Sequence, residues 1–298
     1  MPISRKIMGV SRGVATSTVK AIFGYGNSGT VSSVTNLVSS TGVVSANVLG
    51  VGTARDSLAA AAYGTDKAIF GYGNNGPLLS LTNLVSNTGV VSANTTGVGT
   101  ARSNLAASRY GADKAIFGYG IGPRSMTNLV SNIGAVSTDT TGVGTARFDL
   151  TASAYGSDKA IFGYGLTTVN VSMTNKVSNT GVVSADTTGV GTARDWPAAA
   201  GYGSDKAIFG YGFTTVNVSM TNLVSNTGVV SADTTGVGTG RQAPAAAGYG
   251  SDKAIFGYGY ASSYSSLTNL VSSTGVVSAD VSGIGTARYG AAASSYGS

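Results

Sequence analysis

The sequence predicts an all-β protein: a six-bladed β-propeller, one four-stranded antiparallel sheet per blade, closed by its C-terminal strand. Three observations lead there. The stretch "KAIFGYG" recurs with its lysine at Lys20, Lys67, Lys114, Lys159, Lys206 and Lys253, at intervals of 47, 47, 45, 47 and 47 residues. Six copies at one period are the mark of a repeat architecture. Each unit holds four short strand-like runs parted by turn residues. No apolar pattern of period 3.6 survives the 45 glycines, so helices are not expected.

The first run is rich in alanine, as in "LAAAAYG" from Leu58. Small side chains suit an inner strand, where blades crowd an axis. The second is "KAIFGYG", in which Ala68, Phe70 and Tyr72 alternate with Ile69 and the glycines. Its glycines allow crowded sheets to approach closely. The third is "LTNLVSN" from Leu81 and the fourth "GVVSANTTG" from Gly89. Tight turns are expected at "YGTDK" or "YGSDK" and at "SNTG". The repeats fall near 20–66, 67–113, 114–158, 159–205, 206–252 and 253–298.

The two ends of the chain suggest how the ring shuts. After Arg288 comes "YGAAASSYGS", which matches a first run and nothing more. Only eight residues separate Arg12 from Lys20, against twelve from Arg55 to Lys67. Ala291 to Tyr296 is therefore expected to be the inner strand of the blade that begins at Lys20. Residues 1–13 are left as a basic arm, separate from a propeller over 14–298. Arg5, Lys6 and Arg12 supply half of the +6 net charge, and the remainder of the chain is close to balanced. The arm is a candidate for docking to a particle or an acidic surface, and nucleic acid is expected only there.

Composition removes whole chemistries. There is no Cys, His or Glu, hence no thiolate nucleophile, no zinc-thiolate site and no imidazole base. No catalytic site, metal site or cofactor is expected. "GYGNNG" and "GYGIGP" are loose phosphate-loop look-alikes without a following helix. No secretory signal peptide and no membrane span are expected.

The six copies differ mainly in two places, after "GYG" and after the unit-opening arginine. In a four-stranded meander both places emerge on one face, while the two constant turns emerge on the other. The variable face is therefore the expected contact surface, with Trp196, Phe148, Phe213, Tyr260, Tyr264 and Arg124 as contact candidates. Aromatics and arginine supply most interface energy. The arginines Arg55, Arg102, Arg147, Arg194, Arg241 and Arg288 are expected as a ring on the same face. Such a ring either binds an anion or pairs with carboxylates such as Asp186 and Asp233.

The unit resembles the kelch repeat in its opening Arg, its small-residue first strand, its aliphatic second strand ending in glycines, and the "TNLVSNTGVV" segment. It departs from that family in the "GYG" spacing and in Leu84 and Val91, where the family has Tyr and Trp. The array is also similar to regular tandem repeats of tailed-phage and environmental microbial sequences. These resemblances imply a non-enzymatic binding or structural propeller. The expected setting is a phage-like virion, as a tail or fibre-associated protein contacting other virion proteins. The alternatives are a cytoplasmic protein-interaction propeller and a lectin-like propeller that binds glycans.

Overall fold

The computed structural model describes residues 19–297. Arg5, Lys6 and Arg12 lie outside them. Among the described residues the chain is all β, without a helix, so no helix is long and apolar enough to cross a membrane. Strands β1 to β18 form six three-stranded antiparallel sheets.

The first sheet joins the two ends of the chain: β18 (Ala292–Tyr296) pairs with β1 (Lys20–Asn27), which pairs with β2 (Val31–Val38). The second is β3 (Ala59–Tyr63), β4 (Lys67–Asn74) and β5 (Leu78–Val85). The third is β6 (Ala106–Tyr110), β7 (Lys114–Gly120) and β8 (Arg124–Val130). The fourth is β9 (Thr151–Tyr155), β10 (Lys159–Gly163) and β11 (Thr174–Val177). The fifth is β12 (Ala198–Tyr202), β13 (Lys206–Gly210) and β14 (Thr221–Val224). The sixth is β15 (Ala245–Tyr249), β16 (Lys253–Gly257) and β17 (Thr268–Val271). The alanine-rich strands touch one another in the cyclic order β3, β6, β9, β12, β15, β18 and back to β3.

The fourth expected run of each unit joins its sheet through isolated bridges rather than a continuous ladder. In the second unit it is held to β5 by two single bridges, Val85 to Val91 and Thr82 to Thr95. Side chains take over part of the ladder. The Leu84 amide donates to Ser92 Oγ at 3.0 Å, and Asn83 Nδ2 donates to the Ser92 carbonyl at 3.0 Å.

The core lies between sheets, and the repeated heptapeptide builds it. Ile22 and Tyr25 pack with Ala68 and Phe70, and Ile69 and Tyr72 pack with Ala115 and Phe117. Each middle strand therefore turns Ala and Phe toward one neighbour and Ile and Tyr toward the other. Simple alternation put Tyr72 on the face of Ala68 and Phe70; it lies instead with Ile69. The cause is a bulge between Gly71 and Gly73, with Tyr72 at φ 65, which moves the ring across the sheet.

The glycine after each Phe is required by the next sheet. A Cβ on Gly118 would stand 2.8 Å from Phe162 Cζ, and one on Gly257 would stand 2.9 Å from Phe23 Cζ. The tyrosine then meets that same phenylalanine edge to face, as Tyr72 meets Phe117 at 5.1 Å.

Candidate functional site

The six unit-opening arginines are fully buried, so they present no ring of charge to solvent. Each is a bolt between two sheets. Arg194 Nε donates to the Tyr211 carbonyl at 2.8 Å, Nη1 to the Thr192 carbonyl at 3.1 Å, and Nη2 to Asn222 Oδ1 at 2.7 Å. Its guanidinium lies over the Tyr164 ring of the preceding sheet, 4.2 Å from the centroid. Arg288 repeats this from the end of the chain, donating to the Tyr25 carbonyl and Asn36 while lying over Tyr258.

Four of the six arginines also have a carboxylate nearby: Asp139, Asp186, Asp233 and Asp280 stand 3.8–3.9 Å from Nη1. Asn47 and Asn94 occupy the corresponding place in the first two units. Burial pushes the Asp233 carboxyl up, but hydrogen bonds from Thr192 and Asn222 outweigh it and hold the group below its ordinary range. Burial also presses the arginines down from their ordinary value and the tyrosines beneath them up, Tyr164 to about 12.

The two variable segments of each unit meet. Asp56 bridges Asn74, Phe148 bridges Leu166, Asp195 bridges Phe213, and Gln242 bridges Tyr260. Arg124 bridges Arg147 and is half-buried, with its Nε shielded and unpaired. Phe148 and Phe213 are half-buried and, among the described residues, join no ring pair. Trp196, Tyr260 and Tyr264 come together around a fourth ring, Tyr289. Trp196 stacks on Tyr289 at 6.4 Å, Tyr264 lies parallel to Tyr289 at 5.8 Å, and Tyr260 contacts both tyrosines edge-on.

Trp196 and Tyr289 of this cluster also line a cavity of about 100 Å³. The residue two places after each arginine helps to line it: Ser57, Asn104, Asp149, Trp196, Ala243 and Gly290. All six have positive φ, between 47 and 60. Their backbones form a cycle of hydrogen bonds. Asn104 N donates to the Ser57 carbonyl at 2.8 Å, Asp149 N to Asn104 at 3.0 Å, and Trp196 N to Asp149 at 2.8 Å. Ala243 N donates to Trp196 at 3.0 Å, Gly290 N to Ala243 at 3.4 Å, and Ser57 N to Gly290 at 2.8 Å. The left-handed backbone, which costs of order 1 kcal/mol or more at a non-glycine residue, is held by this cycle.

Asp149 is the electrostatic centre of the cavity. Burial drives its pKa up to about 7, against a hydrogen bond from Asn104 and the nearby Trp196 N–H, and the like charge of Asp195 raises it further. The Trp196 Nε1 is itself buried without a well-formed hydrogen bond. Asp195 is also raised by burial, and its Oδ1 is buried without a donor. Asp56, almost fully buried, accepts from Asn27 Nδ2 at 2.9 Å. Among the described residues no three carboxylates gather as a metal-binding group.

Tyr289, Asn104 and Asp149 were not among the residues singled out from sequence. Their signal is positional: the place two after the arginine differs in all six units, reading Ser, Asn, Asp, Trp, Ala and Gly. Aromatic character alone pointed at three members of the cluster and at two phenylalanines outside it.

A second cavity, wider at about 300 Å³, is lined mostly by Ala and Ser, with Arg109 from β6. Constant turns surround it. Asn179 Nδ2 donates to Asp158 Oδ2 at 3.2 Å, tying a "SNTG" turn to a "YGSDK" turn.

No protein-family model matches the chain, and no curated protein sequence matches it.

Proposed function

We propose that the chain is a non-enzymatic binding module: a kelch-like six-bladed propeller, shut into a ring by β18, that engages a partner through its variable-loop face. The cyclic contacts of the inner strands and the cycle of axial hydrogen bonds support the closed ring. In this reading the segment after each third strand completes a four-stranded blade as its outer edge.

One observation carries the functional reading. Residues beside three different sheets, Trp196, Tyr260, Tyr264 and Tyr289, are assembled into one aromatic cluster at the mouth of an axial cavity. The repeats do not need it: the sheet-to-sheet packing uses other rings, Tyr25, Tyr72 and their copies. Aromatic side chains that stack at a surface without a packing duty are typical anchors of an interface. The cluster occurs once per ring, which favours one large partner over glycan sites repeated from blade to blade. A virion protein is the partner class we propose, with a soluble cytoplasmic protein as the alternative.

The test is capture of the partner from particle preparations and from soluble extract of the source. Tyr264→Ala and Phe213→Ala should weaken capture at least tenfold, while Lys67→Gln on the constant-turn face should not. Equal loss for both faces, or none for the tyrosine and phenylalanine variants, would overturn the assignment of the face.

A further inference from the structure

We infer that the axial cavity takes a cationic head group, with Asp149 as its counter-charge and the Trp196 and Tyr289 rings as its walls. The ligand would be an alkylammonium or guanidinium, as a lysine or arginine side chain of the partner presents. The inference rests on the reading of this face as the contact surface and names what the contact recognises.

The first argument is unbalanced charge. Asp149 is 6% exposed and lines the cavity. Its side-chain neighbours are the Asn104 amide and the Trp196 indole, both neutral, and the charge that acts on it is the like charge of Asp195. A buried carboxylate is costly unless paired. The buried arginines of this chain each find an acceptor set, yet among the described residues the Asp149 carboxyl has no cation. Asp195, with its unpaired Oδ1, adds a second negative group beside it. An anionic ligand is thereby disfavoured, and a neutral apolar one would leave Asp149 unpaired.

The second argument is the rings. Six guanidinium groups of the chain lie over aromatic faces at 4.1–4.5 Å, so the fold already stabilises cations on tyrosine. Every one of those rings is internal: Tyr25, Tyr72, Tyr119, Tyr164, Tyr211 and Tyr258. Trp196 and Tyr289 line the cavity, and among the described residues neither bears a cation. Tryptophan has the most attractive face for one, and attraction grows when the pair is shielded from water. The volume, about 100 Å³, suits a small head group on a thin stem rather than a whole side-chain cluster.

Trp196 is the only tryptophan of the chain, so its fluorescence reads the cavity directly. The full chain at pH 8 is titrated with n-butylammonium chloride and tetramethylammonium chloride, against sodium chloride at equal ionic strength and tert-butanol as the neutral isostere. The ammonium salts should change the emission saturably, and the two controls should not. Asp149→Asn, nearly isosteric, should weaken the response at least tenfold. Tyr289→Leu, which keeps both Asp149 and the reporter, should weaken it several-fold. Circular dichroism establishes that each variant is folded. No ammonium response, an equal response to tert-butanol, or an unchanged midpoint in Asp149→Asn overturns the inference. If Tyr264→Ala still abolishes partner capture in that event, the contact face stands and only its cation preference falls.

Discussion

Replacing Arg194 by lysine tests the idea that the unit-opening arginines are bolts rather than ligands. The guanidinium is fully buried and satisfies three acceptors at 2.7–3.1 Å while stacking on Tyr164 at 4.2 Å. A lysine ammonium is a point charge without the planar fork, so it cannot reach Tyr211 O, Thr192 O and Asn222 Oδ1 together. At least one buried acceptor is left unpaired, at about 1–3 kcal/mol, and the stacked face is lost at about 0.5–2 kcal/mol. The sum is about 2–5 kcal/mol, which for a domain of this size lowers the melting temperature by roughly 3–8 °C. Thermal denaturation followed by circular dichroism measures it, with Lys114→Arg on the exposed turn as the control. A melting temperature within about 2 °C of the parent would refute the reasoning, because a solvent-facing arginine tolerates the exchange.

Gly118→Ala places a methyl 2.8 Å from the buried Phe162 ring. It should cost about 1–3 kcal/mol in urea denaturation, and a neutral result would contradict the sheet-to-sheet packing. Stability should also rise as pH falls from about 8 to 5. The folded Asp149 keeps its proton up to about 7, whereas the unfolded carboxyl loses it near 4, so below pH 7 the folded state gains a proton that the unfolded state lacks. Over this range the effect amounts to at most roughly 3 kcal/mol. Asp195, also raised, acts in the same sense, and the chain has no histidine to titrate in this window. Asp149→Asn should flatten the profile; melting temperatures across this range provide the check. Below about pH 4 the trend reverses, as Asp139, Asp186, Asp233 and Asp280, all held low, become protonated. Ending the chain at Ala287 removes Arg288 and β18 and leaves an unpaired edge on β1. The product should aggregate in size-exclusion chromatography, and a monomer with parental melting would show that the end-to-start pairing is dispensable.

The spacing of "KAIFGYG" and its glycines determined the class of structure by itself. A short run of small and β-branched residues between Gly-Asp or Asn-Thr-Gly turns has few alternatives to a hairpin strand, and that information is local. So is the sorting of each unit into constant and variable segments, which the bridges between Asp56 and Asn74, or Asp195 and Phe213, bring side by side. Tertiary structure decided the rest, because it depends on residues far apart in the chain. Alternation cannot reveal that Tyr72 crosses its sheet, since the left-handed bulge is stabilised by a phenylalanine in the next sheet. The arginines look like surface charge until the following tyrosine carbonyl, the asparagine 28 residues on and a neighbouring ring enclose them. Trp196 and Tyr289, or Asp149 and Asn104, become neighbours only when segments beside different sheets meet, and the chemistry of that meeting place belongs to no single repeat.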